Sequence, residues 1–212
     1  MGKIKDNYFA NLDNQNQKMS IQDMLEKDET ILWEGKPKKS AFICSAFIKM
    51  LPIAIIWLAF DLFFIVNISK FSGEMEGFTL MFIIFFIIHL APVWIWLYNI
   101  IHAALAHKNI HYVLTDKKII IRSGVVGIDF KMVNYAEVSG VRCNVGLLDK
   151  LFKVGDIYIK SVNQSIVIND IKNPYEVYNR LVKIVNDIKA DMSFPNAYRP
   201  EENNGYQTKY KG

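Results

Sequence analysis

The chain has 212 residues, 51% of them hydrophobic and 22% charged, with a formal net charge of +4. That length fits one ordinary domain with additions, and no basic run is dense enough for a nucleic-acid patch, so DNA and RNA are excluded as partners. Two cysteines, Cys44 and Cys143, match no metal spacing and cannot build a disulfide scaffold.

The first 28 residues are polar and rich in Asn and Gln, which predicts a flexible tail with at most a turn or two of helix near Ser20–Lys27. N-myristoylation is not expected, because Asp6 stands where Ser or Thr is required after Gly2. Residues 29–40 form a short pre-membrane segment. Apolar residues then crowd into 41–102, which reads as a two-helix transmembrane hairpin.

Its first span, Met50–Ile68, would be roughly 28 Å long at 1.5 Å per residue, about one hydrocarbon core. The second, Phe78–Ile101, carries no formal charge and would reach roughly 36 Å, enough to cross with tilt. A soluble helix needs a polar face, and neither run has one. Lys36, Lys38, Lys39 and Lys49 precede the first span, and Lys108, Lys117, Lys118 and Arg122 follow the second. The Ser69–Gly77 loop holds only Lys70 as a base. The positive-inside rule therefore predicts a multi-pass cell-membrane protein with both termini cytoplasmic. Pro92 predicts a kink. Asp61 is costly at mid-span, and folding the hairpin about Gly73 brings His89 within a helical turn of it. That pair is either polar glue for the hairpin or part of a proton or ion relay, or else Asp61 reaches outward to water beside Asn67.

From residue 109 the period changes. Strands are expected at 110–115 and 118–122, joined by a turn at Thr115-Asp116-Lys117, and then at 130–135, 137–144, 157–162 and 165–170. Gly146–Phe152 reads as a short apolar turn or helix. Asn173 and Pro174 open a last helix, with Asn173 as side-chain cap and Glu176 three residues on. Val177, Leu181, Ile184 and Ile188 form its apolar stripe, opposite Glu176, Arg180, Lys183 and Asp187. Residues 191–212 read as a disordered tail. The predicted fold is a membrane α-helical hairpin plus a mostly-β antiparallel sandwich or barrel over 109–190, capped by a C-terminal helix.

Three signatures surround the apolar runs. Glu29-Thr30-Ile31-Leu32-Trp33-Glu34-Gly35-Lys36-Pro37 precedes them. Tyr112-Val113-Leu114-Thr115-Asp116-Lys117-Lys118-Ile119-Ile120 follows, closing at Gly124. Leu151–Ile157 and Ile171–Val177 come last. In this order they resemble the type-2 bacterial pleckstrin-homology (PH-like) membrane proteins over roughly residues 29–190, with Lys118 where Arg is usual. The resemblance implies a PH-like fold and brings no catalytic residue. No phosphate loop, G-x-S-x-G or H-E-x-x-H pattern is present, and His102, His107 and His111 lack a clustered acidic or cysteine ligand. The expectation is therefore a non-enzymatic, cofactor-free binding or scaffold protein. Its partners would be membrane lipids, an unknown protein segment or a second copy in a homo-oligomer. Lys117, Lys118, Arg122, Lys131, Arg142, Lys150 and Lys153 are the candidate contacts, and Leu148, Leu151 and Phe152 either dip into the interface or fill the core. The rival expectation is a small transporter or accessory subunit that uses Asp61 and His89.

Overall fold

The computed structural model describes residues 20–70 and 79–193. The expected terminal tails up to residue 19 and beyond 193, the myristoylation position and most of the loop about Gly73 lie outside these residues.

In chain order the elements are β1 (Ile31–Gly35), α1 (Lys39–Ser69), α2 (Thr79–His89), α3 (Ala91–Ala106), β2 (His111–Thr115), β3 (Lys118–Ser123), β4 (Asp129–Asn134), β5 (Val138–Asn144), α4 (Leu147–Phe152), β6 (Val154–Ser161), β7 (Ser165–Lys172) and α5 (Pro174–Ser193). Two antiparallel sheets, β1-β2-β3-β4 and β5-β6-β7, enclose one core. Alternation decides which residues enter it: Tyr112, Leu114, Ile119 and Ile121 point inward, as do Ile157, Ile159, Ile166 and Ile168 from the other sheet. α5 lays Val177, Leu181, Val185 and Ile188 against this core. Two phenols tie the layers: Tyr135 donates to the Thr115 carbonyl at 2.8 Å, and the Tyr112 oxygen accepts the Asn169 N–H at 3.1 Å.

The sheet draws on both sides of the helices. Ile31–Gly35, expected as part of a pre-membrane segment, is a strand that pairs with β2, Gly35 opposite Tyr112. Residues 20–28 are not a free tail either. Ile21 is buried against Val113 and Ile120 on the outer face of the first sheet, with Met24, Leu25 and Phe130 around them. The alternation that sends Tyr112 and Leu114 inward leaves Val113 apolar on the outside, and this segment covers it.

α1 is long and apolar enough to cross a membrane, and α2 with α3 passes the same test if the bent pair counts as one span. The second apolar run is thus two helices, bent by 49° at Leu90. Pro92 has no N–H to give Ile88, and Val93 donates to Leu90 instead of His89. The freed His89 carbonyl accepts the Trp57 indole N–H at 2.7 Å, across the helical pair. Asp61 is buried, and its Oδ1 lies 2.7 Å from Nδ1 of the same histidine. Trp96 donates to the Phe47 carbonyl at 2.8 Å, nearer the helix base.

Two expectations for α5 need correction. Asp187 lies on the packed side, buried, because α5 is wrapped on more than its apolar stripe. Asn173 has φ 51°, the left-handed region, and its carbonyl accepts the N–H groups of Glu176 and Val177. A side-chain cap sits in extended backbone. Asn therefore stands at 173 because it tolerates the left-handed turn, which costs other non-glycine residues about 1–2 kcal/mol. Asn173→Gly should leave the denaturation midpoint nearly unchanged, while Asn173→Ser, a good cap but a poor left-handed residue, should cost about 1 kcal/mol. Equal stability of the Ser variant and the wild type would restore the capping role.

Candidate binding site

A groove of about 770 Å³ lies between β1 and α5. Leu32 to Lys36 form one wall and Glu176 to Asp187 the other, over a floor of Leu114, Ile171 and Val177. That volume lies in the range of ligand sites. Among the described residues β1 is the terminal strand of its sheet and pairs on one side only. Leu32 is 45% exposed beside the groove, and Ile184 is half-buried opposite. Glu176 is matched within α5 by Arg180 at 2.7 Å, and Glu34 faces His111 Nε2 at 3.1 Å. Burial and the nearby Lys36 hold the His111 imidazole below its ordinary value, against the pull of Glu34. Lys36, Lys172 and Lys183 are exposed along the same groove.

The basic residues singled out from sequence do not converge. Lys117 and Lys118 sit in the β2–β3 turn, at the end of the domain far from the helices. Glu26 holds Lys117 at 2.6 Å, and Glu29, whose side chain has no exposed surface, holds Lys118 at 3.1 Å. Both candidate contacts are thus already paired with carboxylates of residues 20–29. The Glu26 carboxyl is lowered by its hydrogen bond and charge contact with Lys117. Arg122 lies at the opposite end of β3, paired with His111 and Phe130 in register, its Nε buried without a partner. Lys131 is exposed on β4, and Arg142 stacks 4.8 Å over the Tyr158 ring on the other sheet. Lys150 and Lys153 are exposed at α4. In α4, Leu148 and Phe152 are half-buried, whereas Leu147 and Leu151 are 87% and 75% exposed. Of the expected set of Leu148, Leu151 and Phe152 only Leu151 is exposed, and Leu147 stands one turn from it on the same face.

The histidines also part company. His107 Nε2 is 2.8 Å from the Pro37 carbonyl, His111 faces Glu34, and His102 lies beside the Tyr98 ring. Among the described residues no group of three or more His, Cys, Asp or Glu could hold a metal ion.

A strand-plus-helix groove for a peptide was legible as a possibility, but its residues were not, because β1 and α5 are far apart in the chain. Its signal was the Ile-Leu-Trp run, which puts apolar residues on both faces of a short strand.

A sandwich of four and three antiparallel strands closed by a C-terminal helix is the PH-like fold. The sequence model described as Bacterial PH domain matches residues 51–184, more than half of the chain. The chain belongs to the bacterial PH domain family. The matched stretch starts inside α1 and includes both α2 and α3. No curated protein matches the chain. A crystal structure of a DUF1696 family protein with a pleckstrin-homology domain, from Shewanella loihica PV-4, is similar at 16% identity, over 38% of this chain and 70% of that one, with a TM-score of 0.29. PH domains are generally binding modules without catalysis, which suggests a binding or scaffold role.

A pH dependence follows from the junction between β7 and α1. Asp170 is 6% exposed, and its backbone N–H donates to Asp156 Oδ1 at 2.9 Å while its carbonyl accepts the Lys38 N–H at 2.8 Å. Burial first, then the charges of Asp156 and Asp149, push its carboxyl from 3.8 up to about 7. A raised folded value means that the folded state binds the proton more tightly than the unfolded chain. The resulting stability is full below the unfolded value near 3.8 and is lost as the pH rises through about 7. The protein should therefore be less stable at pH 8 than at pH 6, and Asp170→Asn should flatten that slope. An unchanged slope in the Asn variant, followed by urea denaturation across this range, would contradict the assignment.

Proposed function

We propose that this chain is a membrane-anchored, non-enzymatic binding protein. Its helical pair spans the cell membrane as a two-helix hairpin with both termini cytoplasmic, and its PH-like domain offers the β1–α5 groove to an extended segment of a partner protein. The observation that carries the reading is an edge strand lying open along a groove whose other wall is a helix. A peptide laid along β1 would gain main-chain hydrogen bonds from the strand, and alternate side chains would find Leu32 and Ile184. Lys36, Lys172 and Lys183 favour a segment with acidic residues at its ends.

The membrane reading is supported by exposure. Ile53, Ile56, Leu62, Phe63 and Ile65 of α1 are all more than a third exposed, as are Leu80, Ile84, Ile88 and Ile95 across α2 and α3. A band of that size in water would drive aggregation, and lipid removes the penalty. α1 has 31 residues, roughly 46 Å at 1.5 Å each, close to the 40–45 Å of a bilayer with its headgroup regions. Asp61 and His89 serve this reading as the polar tie of the hairpin. The transporter alternative leans on the buried, unpartnered Oδ2 of Asp61, but two helices alone enclose no pathway.

A photo-crosslinking amino acid at Leu32, in the full chain in its native membrane, tests the groove against Lys131 on the opposite face. The expected result is one discrete protein adduct from Leu32, none from Lys131, and loss of the adduct in Ile184→Asp at equal protein level. Adducts from Lys131 with none from Leu32 would move the binding face to the outer sheet.

A further inference from the structure

The helix-proximal end of the PH-like domain carries two exposed apolar tips that the groove does not use, one tied to the end of α3 and one to the start of α1. The first is the β3–β4 loop. Val126 at its crest is fully exposed and Ile128 is 38% exposed. The loop is shaped to push them out. Gly124 has φ 119°, and a Cβ there would meet the Gly127 carbonyl oxygen at 2.1 Å, so the chain folds back tightly and leaves Val125-Val126 at the crest. Asn109, just after α3, fixes the loop beside the helices by donating its side-chain N–H to the Gly124 carbonyl at 3.1 Å.

The second tip is α4, with Leu147 and Leu151 exposed on one face. α4 packs against α1. Lys38, the residue before α1, donates its ammonium to the Phe152 carbonyl at 2.9 Å. Lys150 and Lys153 are exposed in and just after α4, and Lys39 and Lys108 are exposed at the start of α1 and just after α3. Their acidic neighbours are Asp129, exposed after the loop, and Asp149, whose carboxylate is turned back onto the Gly146 N–H at 2.7 Å.

We infer that these two tips are a bilayer-docking face: the Val125–Ile128 crest and the Leu147/Leu151 face of α4 enter the headgroup–acyl boundary of an anionic leaflet beside the hairpin, while Lys150 and Lys153 meet lipid phosphates. This rests on the membrane reading of α1. If α1 fills the bilayer with its headgroup layers, Lys39 stands at headgroup level, and both tips, anchored to Lys38 and Asn109, stand there with it. Exposed apolar residues together with exposed lysines at that depth are the chemistry that an anionic lipid surface takes up. The far end of the domain differs in that Lys117 and Lys118 there are already paired with Glu26 and Glu29.

The test uses the full chain, with Cys44 and Cys143 changed to Ser, in vesicles of phosphatidylcholine and phosphatidylglycerol. Single cysteines carrying an environment-sensitive fluorophore replace Val126, Leu151, Val162 or Ile56. Val162 is exposed at the far end, where its N–H donates to the Glu137 carbonyl. Ile56 lies mid-way along α1 and is 66% exposed. Lipids with a quencher near the headgroup should extinguish the probes at 126 and 151 and spare 162, whereas a deep quencher should extinguish 56. Lys150→Glu with Lys153→Glu should reduce quenching at 151 in the anionic vesicles. If 56 is quenched but 126 and 151 behave like 162, the docking face is wrong and the spanning helices stand. Quenching at only one of 126 and 151 overturns the two-tip face. An unquenched 56 overturns the membrane reading, and the inference with it.

Discussion

Gly35 and Tyr112 are paired neighbours in one sheet, although three helices separate them in the chain. This pairing constrains everything between. The chain must leave the sheet at Lys36 and return at His111 to almost the same point, which an antiparallel helical pair of matched length achieves. Contacts from base to middle keep the two sides in step: His107 with the Pro37 carbonyl, Trp96 with the Phe47 carbonyl, then Trp57 and Asp61 with His89. The bend at Leu90 is part of the fit, because it frees the carbonyl that Trp57 takes.

The pairing is locked at its other end by a polar clasp. Glu29 reaches the Thr115 hydroxyl at 2.6 Å and Lys118 at 3.1 Å, and Thr30 bonds to Asp116 through both its backbone N–H and its hydroxyl. Glu29 is removed from solvent, and deleting one partner of such a pair typically costs about 3–5 kcal/mol, because the other charge is left buried and alone. The two sequence signatures that flank the helices are thus two halves of one contact. Their residues hold β1 in place, and β1 in turn forms one wall of the groove. The same clasp draws Lys118 largely out of solvent, while Lys117 meets Glu26 at the surface.

Local periodicity carried most of the PH-like domain. The six strands after the helices and α5 could be read from short β-branched runs, turn residues and a 3.6-residue stripe, with boundaries off by a few residues. The register of Asp61 against His89 could be approached by counting along a hairpin, since both helices are long and their rise is fixed. What could not be read is non-local. β1 is five residues long, and its partner lies on the far side of the helices, so Ile31–Gly35 looks like a linker until β2 is placed beside it. Ile21 looks like one apolar residue in a polar tail until the outward faces of Val113 and Ile120 meet it. The groove depends on both β1 and α5 and inherits the same difficulty. Lysines drew attention by charge alone, which says nothing of whether a carboxylate elsewhere in the chain has already claimed them. Leu147 was passed over for Leu148 because a six-residue helix has too few turns to define a face from sequence.

The central claim is that the sheet is completed across the helices by β1 and its clasp. It can be tested by comparing two helix-free chains: residues 105–195 alone, and the same residues preceded by residues 20–37 through a short glycine-serine linker, which the adjacency of Gly35 and Tyr112 permits. Urea unfolding followed by circular dichroism and tyrosine fluorescence is the measurement. The account predicts a single cooperative transition for the joined chain, and either no cooperative transition or a much lower midpoint for residues 105–195 alone. Cooperative unfolding of residues 105–195 alone, at the midpoint of the joined chain, would contradict it.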